Sequence, residues 1–128
     1  MAEFFSKISQ GVSSASSNVN GKVNDAQRKS QYKKEIGALS DKITLTQKQI
    51  GEAVLSAYKA NEEMPDCERA CREIVLCEKR IDNYNVALLA LDNKRVCVSC
   101  GQTIGLTDCF CLHCGTKQTA INLDTLLD

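Results

Sequence analysis

Tryptophan is absent from this 128-residue chain, proline and histidine occur once each, and only three Tyr and three Phe are present. So few rings exclude a dense aromatic core and leave helices with aliphatic seams as the expected way to bury surface. An excess of either charge is also lacking, since sixteen Lys and Arg balance sixteen Asp and Glu. No net field then draws the chain to nucleic acid or anionic lipid, and such binding would need a local patch. There is no apolar run of ~20 residues able to cross a bilayer, and no apolar stretch with a cleavage site near the start. The expectation is a cytoplasmic protein of one ordinary domain, or one small domain with an extended appendage. Enzyme activity is not expected, because no nucleophile is paired with a base, no glycine loop suits a phosphate, and no open metal site is in view.

What the chain has in plenty is cysteine, with eight residues. In a reducing compartment close Cys pairs read first as metal ligands rather than disulfides. Two knuckles stand out, Cys97-Val-Ser-Cys100-Gly101 and Cys111-Leu-His-Cys114-Gly115, with Gly101 to Phe110 between them. Four thiolates at that spacing suit one tetrahedral, structural Zn²⁺ held by Cys97, Cys100, Cys111 and Cys114, with no coordination position left for water. The Gly after each second Cys permits a positive φ, which turns backbone N–H groups toward sulfur. The intervening Gln102 to Thr107 is short enough for a β-hairpin arm, and Ile104 and Phe110 are expected to cover the metal's apolar side. Cys109 is an alternative ligand but lacks the two-residue spacing to Cys114. His113, inside the second knuckle, is expected to point away from the metal into solvent.

From Val96 to Gln118 these motifs resemble the minimal zinc-ribbon domain found at one end of many small bacterial proteins. The frequent proline of that family is missing from both knuckles, where Val98-Ser99 and Leu112-His113 stand instead. The wider layout is similar to members in which a Phe-containing amphipathic segment and a helical hairpin precede the ribbon. The resemblance implies an architecture, and a ribbon that serves as an interaction module.

Upstream, apolar residues fall on a seven-residue repeat: Ile36, Ile43, Ile50 and Ala57 at one position, Tyr32, Leu39, Ala53 and Ala60 at the other, with Thr46 the exception. A second seam runs through Cys67, Ala70, Ile74, Cys77, Ile81, Tyr84, Leu88 and Leu91. Both patterns predict coiled-coil helices, of about 40 to 45 Å each at 1.5 Å per residue. Between them Pro65 and Asp66 stop one helix and start the next, and so short a connection makes the helices antiparallel neighbours. Cys67, Cys71 and Cys77 read as small seam residues, although Cys67 and Cys71 share a face and could form a metal or redox pair. Glu62, Glu63, Asp66 and Glu68 cluster at the tip. An acidic tip on such a hairpin resembles the secondary-channel factors of bacterial RNA polymerase, which implies a role in transcription; carboxylates near a helix start are also favoured by its dipole.

At the N-terminus Phe4, Phe5, Ile8, Val12, Ala15, Val19, Val23 and Ala26 recur every three to four residues opposite a Ser- and Asn-rich face. From Met1 to Lys34 six basic side chains meet two acidic ones. An apolar stripe followed by cations suits reversible contact with an anionic membrane surface, or packing within the protein or on a partner. The tail Ile121 to Asp128 alternates apolar and polar residues, which suits a short strand or docking in a groove, with a frayed end as the default.

The expected fold is mainly α: an amphipathic N-terminal segment (1–30), a long antiparallel helical hairpin (31–95), a small β zinc ribbon (96–118) and a tail (119–128). The expected function is a non-enzymatic adaptor or scaffold that contacts a protein partner through Ile104, Leu106, His113, Lys94, Arg95 and Lys117, with peripheral inner-membrane contact through residues 4–34. The alternative is a transcription-associated factor acting through the ribbon or the acidic tip, and direct nucleic-acid binding is not expected because stacking aromatics are nearly absent.

Overall fold

The repeat between Tyr32 and Ala60 becomes one face of a single helix, α1, spanning Ser17–Lys59, in the computed structural model, which describes residues 17–127. At 43 residues α1 is about 64 Å long, well beyond the arm expected from the seam alone. The helix runs without a break through position 30. Positions 1–16, with Phe4, Phe5, Ile8, Val12 and Ala15, lie outside the described residues.

Helix α1 stops at Lys59, well before Pro65, and the chain turns away through a left-handed residue, Asn61 at φ 54°. Glu62 N–H bonds back to the Ala57 carbonyl (2.9 Å) and Asn61 N–H to that of Tyr58 (3.3 Å), which satisfies carbonyls the helix end would leave open. The chain then reverses, and the Asp66 side chain accepts from Glu68 N–H (3.0 Å) to start α2, Glu68–Leu91. The two helices pack antiparallel. Tyr32 and Tyr84 rings lie 5.5 Å apart, and Lys29 pairs with Asp92 just past the end of α2. Residues 17–28 of α1 therefore extend beyond the end of its partner.

All eight seam positions of α2 are buried or half-buried. On α1 the seam holds from Tyr32 through Ile50, and Thr46, the exception in the pattern, is itself buried. Its hydroxyl donates to the Lys42 carbonyl at 2.8 Å, so the polar group is satisfied inside its own helix. Toward the tip the pattern fails. Ala57 is buried, but Ala53 and Ala60 are exposed. Of the three thiols here Cys77 is buried and Cys67 half-buried, whereas Cys71 faces solvent rather than the seam.

Two residues past the end of α2, Asn93 is again left-handed at φ 57° and leads directly into β1, Lys94–Val96. This strand pairs antiparallel with β2, Thr103–Gly105, in the register Lys94–Gly105, Arg95–Ile104 and Val96–Thr103. The tail is neither a short strand nor a frayed end, but it does dock on the hairpin. It forms a short helix, α3, Leu123–Leu126, capped by Asn122, whose side chain accepts from Asp124 N–H (3.1 Å). The Asn83 side chain of α2 donates to the Leu126 carbonyl (3.0 Å), so one polar anchor holds the tail on the hairpin. Among the described residues no helix is long and apolar enough to cross a membrane.

Candidate metal centre

Two tight hairpins bring the knuckles together. In the first, β1 and β2 flank Cys97 to Gln102, closed by Cys97 N–H to the Gln102 carbonyl (2.8 Å). The second has no named strand, but a Phe110–Lys117 bridge and Cys111 N–H to the Thr116 carbonyl (3.0 Å) give it the same form. Gly101 and Gly115 sit at φ 76° and 78°, the left-handed conformation that each knuckle requires and that an L side chain would strain.

The result is a cluster in which the Sγ atoms of Cys97, Cys100, Cys111 and Cys114 all lie within 4.8 Å of one another. Cys97 to Cys114 and Cys100 to Cys111 are each 3.6 Å. Tetrahedral thiolates at the usual Zn–S length of about 2.3 Å would stand roughly 3.8 Å apart, so the cluster is already near the dimensions of such a cage. Ser99 N–H points at Cys97 Sγ (3.4 Å) and His113 N–H at Cys111 Sγ (3.3 Å). The Gln118 side chain adds an N–H to Cys97 Sγ at 3.3 Å, and Thr116 Oγ1 lies 3.2 Å from Cys114 Sγ. Donors aimed at sulfur stabilise the thiolate, the form that binds metal.

The thiols respond unequally. Backbone N–H groups of Cys100 and Ser99 pull the Cys97 thiol down to about 6. Thr116, through its side chain and then its backbone, lowers that of Cys114. Cys100 goes the other way: the Gln102 N–H favours its thiolate, but burial and the neighbouring thiols of Cys111, Cys97 and Cys114 outweigh it and push it up to about 12. Four sulfurs this close cannot all carry charge unless a cation sits among them, and the same crowding that resists ionisation suits them to a metal.

Comparison with known proteins gives no match. No family model fits the chain, and no curated protein or solved structure is detectably similar to it. The four-cysteine site, a zinc-ribbon-like arrangement, therefore rests on its own geometry.

Around the cage the apolar cover differs from that expected. Ile104 is buried with Cys97 and Cys111 and forms the ribbon's small core. Phe110, however, is 58% exposed. Residues alternate sides along an extended segment, so with Cys111 turned inward its neighbour Phe110 must face out. The same alternation corrects the assignment of exposed contacts: Ile104 and Arg95 are both buried, Arg95 to 4%, leaving Lys94, His113 and Lys117 exposed and Leu106 half-buried. Cys109 is exposed and outside the cluster; its carbonyl accepts from Gln118 N–H (2.8 Å) instead. Cys67, Cys71 and Cys77 belong to no metal-binding group among the described residues.

Arg95 and Gln118 are the site residues that the motif did not reveal. Arg95 Nη1 donates to the Thr119 carbonyl (2.5 Å), while its Nε–H is buried without a partner. Gln118 accepts from Val98 N–H (3.1 Å) as well as donating to Cys97. A parity signal was present for Arg95, which stands two residues before a ligand and so on the ligand's side of the strand.

Proposed function

We propose that the chain is a non-enzymatic adaptor whose C-terminal zinc ribbon, akin to those of small bacterial proteins, is an interaction head carried on a helical rod. One observation carries this reading: four cysteine sulfurs lie within 4.8 Å of one another, enough ligands for a complete tetrahedral shell, while the knuckles turn apolar side chains outward. Val98 is 60% exposed, Phe110 58% and Leu112 91%. A complete tetrathiolate shell offers no position for substrate or activated water, so the metal's role is to hold the backbone that displays these residues. Exposed apolar groups beside Lys94 and Lys117 suit a protein surface with an apolar centre and an acidic rim.

The test is the variant Phe110→Asp with Leu112→Asp. It should bind one zinc per chain, as the parent does, yet lose cross-linked partners that the parent captures in cell extract. Unchanged capture would move the interaction to another face.

Attachment to a membrane surface is the second part of the proposal and rests on the charge of residues 1–34, six basic against two acidic, joined to their apolar stripe. In liposome flotation the full chain should rise with anionic vesicles, and a chain beginning at Gln31 should not. Equal behaviour of both chains would remove the membrane from the proposal and leave the stripe for packing on protein.

A further inference from the structure

A hairpin of two helices covers each seam from one side only, and its outer faces are normally polar. Here an apolar stretch interrupts the polar outer face of α2. Val75 is 60% exposed and Leu76 61%, and Cys71 is exposed beside them. With Glu68 and Arg72 these residues line one open groove along the helix.

At about 100° per residue, Glu68, Arg72, Val75 and Lys79 fall within about 60° of one another, with Cys71 and Leu76 on the two flanks. An acid therefore ends the stripe toward the tip, a base ends it toward the ribbon, and the apolar residues lie between.

We infer that this stripe pairs with the same stripe of a second copy, antiparallel, about a two-fold axis passing between Glu73 and Ile74. The choice of partner follows from charge. A two-fold axis there places residue 68 of one copy opposite residue 79 of the other, so Glu68 meets Lys79 at both ends of the contact. Parallel pairing would instead set Glu68 against Glu68 and Lys79 against Lys79. Along the middle, Val75 meets Val75 and Cys71 of the second copy. On the other flank, Leu76 meets the aliphatic stem of Arg72, which its own Glu68 already holds across one helical turn. A net charge of zero adds no long-range repulsion between copies. The contact joins two hairpins through their α2 helices and leaves both ribbons free at opposite ends. Its small area makes the association weak and concentration-dependent.

Sedimentation velocity on the metal-loaded full chain, over a wide concentration range, tests this. A reversible monomer–dimer equilibrium is expected. Val75→Asp, with helicity checked by circular dichroism, should raise Kd by about tenfold or more. Glu68→Lys or Lys79→Glu alone should each raise it by roughly two- to fivefold, and the two together should restore the parent value. A monomer at every concentration, association indifferent to Val75→Asp, or a double reversal that only adds the two losses would each overturn the inference.

Discussion

Cys97→Ser, or removal of the metal by a chelator, will unfold residues 94–118 and leave the hairpin helical. The ribbon's buried hydrophobic cluster consists of Cys97, Ile104 and Cys111, so two of its three members are ligands. Two three-residue strands around that cluster bury too little to fold alone, and metal-binding energy is then folding energy. The hairpin buries Leu39, Thr46, Ala57, Cys77 and Ala87, none of which belongs to the ribbon. Far-ultraviolet dichroism should thus keep nearly all its helical signal while amide resonances of 94–118 lose dispersion. Equal loss of helix would show that the joins at Asn93–Leu106 and Asn83–Leu126 make one cooperative unit.

The same centre fixes the direction of its pH response. A metal binds thiolates, so each thiol still protonated in the metal-free protein must release its proton. With the metal-free ribbon unfolded, its thiols ionise in the ordinary cysteine range of about 8.5, so binding displaces protons throughout the neutral range and affinity rises with pH. Chelator competition between about pH 6 and about pH 8 should show affinity falling steeply with acid; an affinity indifferent to pH would mean that the sulfurs are ionised before the metal arrives, as the N–H groups around Cys97 would hold that one in a ribbon folded without metal.

How much of this was legible in the sequence depended on whether a pattern fixed direction as well as spacing. The knuckles did: two Cys at fixed separation followed by Gly allow few turns, and Gly101 and Gly115 adopt the expected φ. The seam of α2 did as well, since eight positions in steps of three and four leave one face. Periodicity said less about where a helix stops. The first helix continues on both sides of its seam, because a stop is set by capping, here Asn61, and not by the loss of apolar residues. Phe110 was assigned from its chemistry, an apolar ring near a metal, whereas the parity of the strand decided its side. In the tail, four alternating apolar residues suited a strand, but the Asn122 cap and the Asn83 contact select a helical turn.

Arg95→Met will weaken metal binding by about 10- to 100-fold while leaving the metal-free protein no less stable. A guanidinium only 4% exposed needs a counter-charge, and no carboxylate lies within ion-pair distance of it among the described residues. Four thiolates around a divalent ion carry a net charge of −2. Arg95 and Cys97 share one side of the same extended segment, and both are held by the adjacent pair Gln118 and Thr119. A cation in that place offsets the excess negative charge of the cage, and this interaction is strongest once the metal has ionised all four sulfurs. Without metal the ribbon is unfolded and Arg95 is in water, so its loss costs the metal-free chain little. Arg95→Lys should recover part of the affinity, since it restores the charge but not the fixed bond to Thr119. The two replacements separate this role from simple packing: a side chain that merely filled space would be replaced by Met at little cost in metal affinity, and a Met variant that binds metal as tightly as the Lys variant would reject the counter-charge.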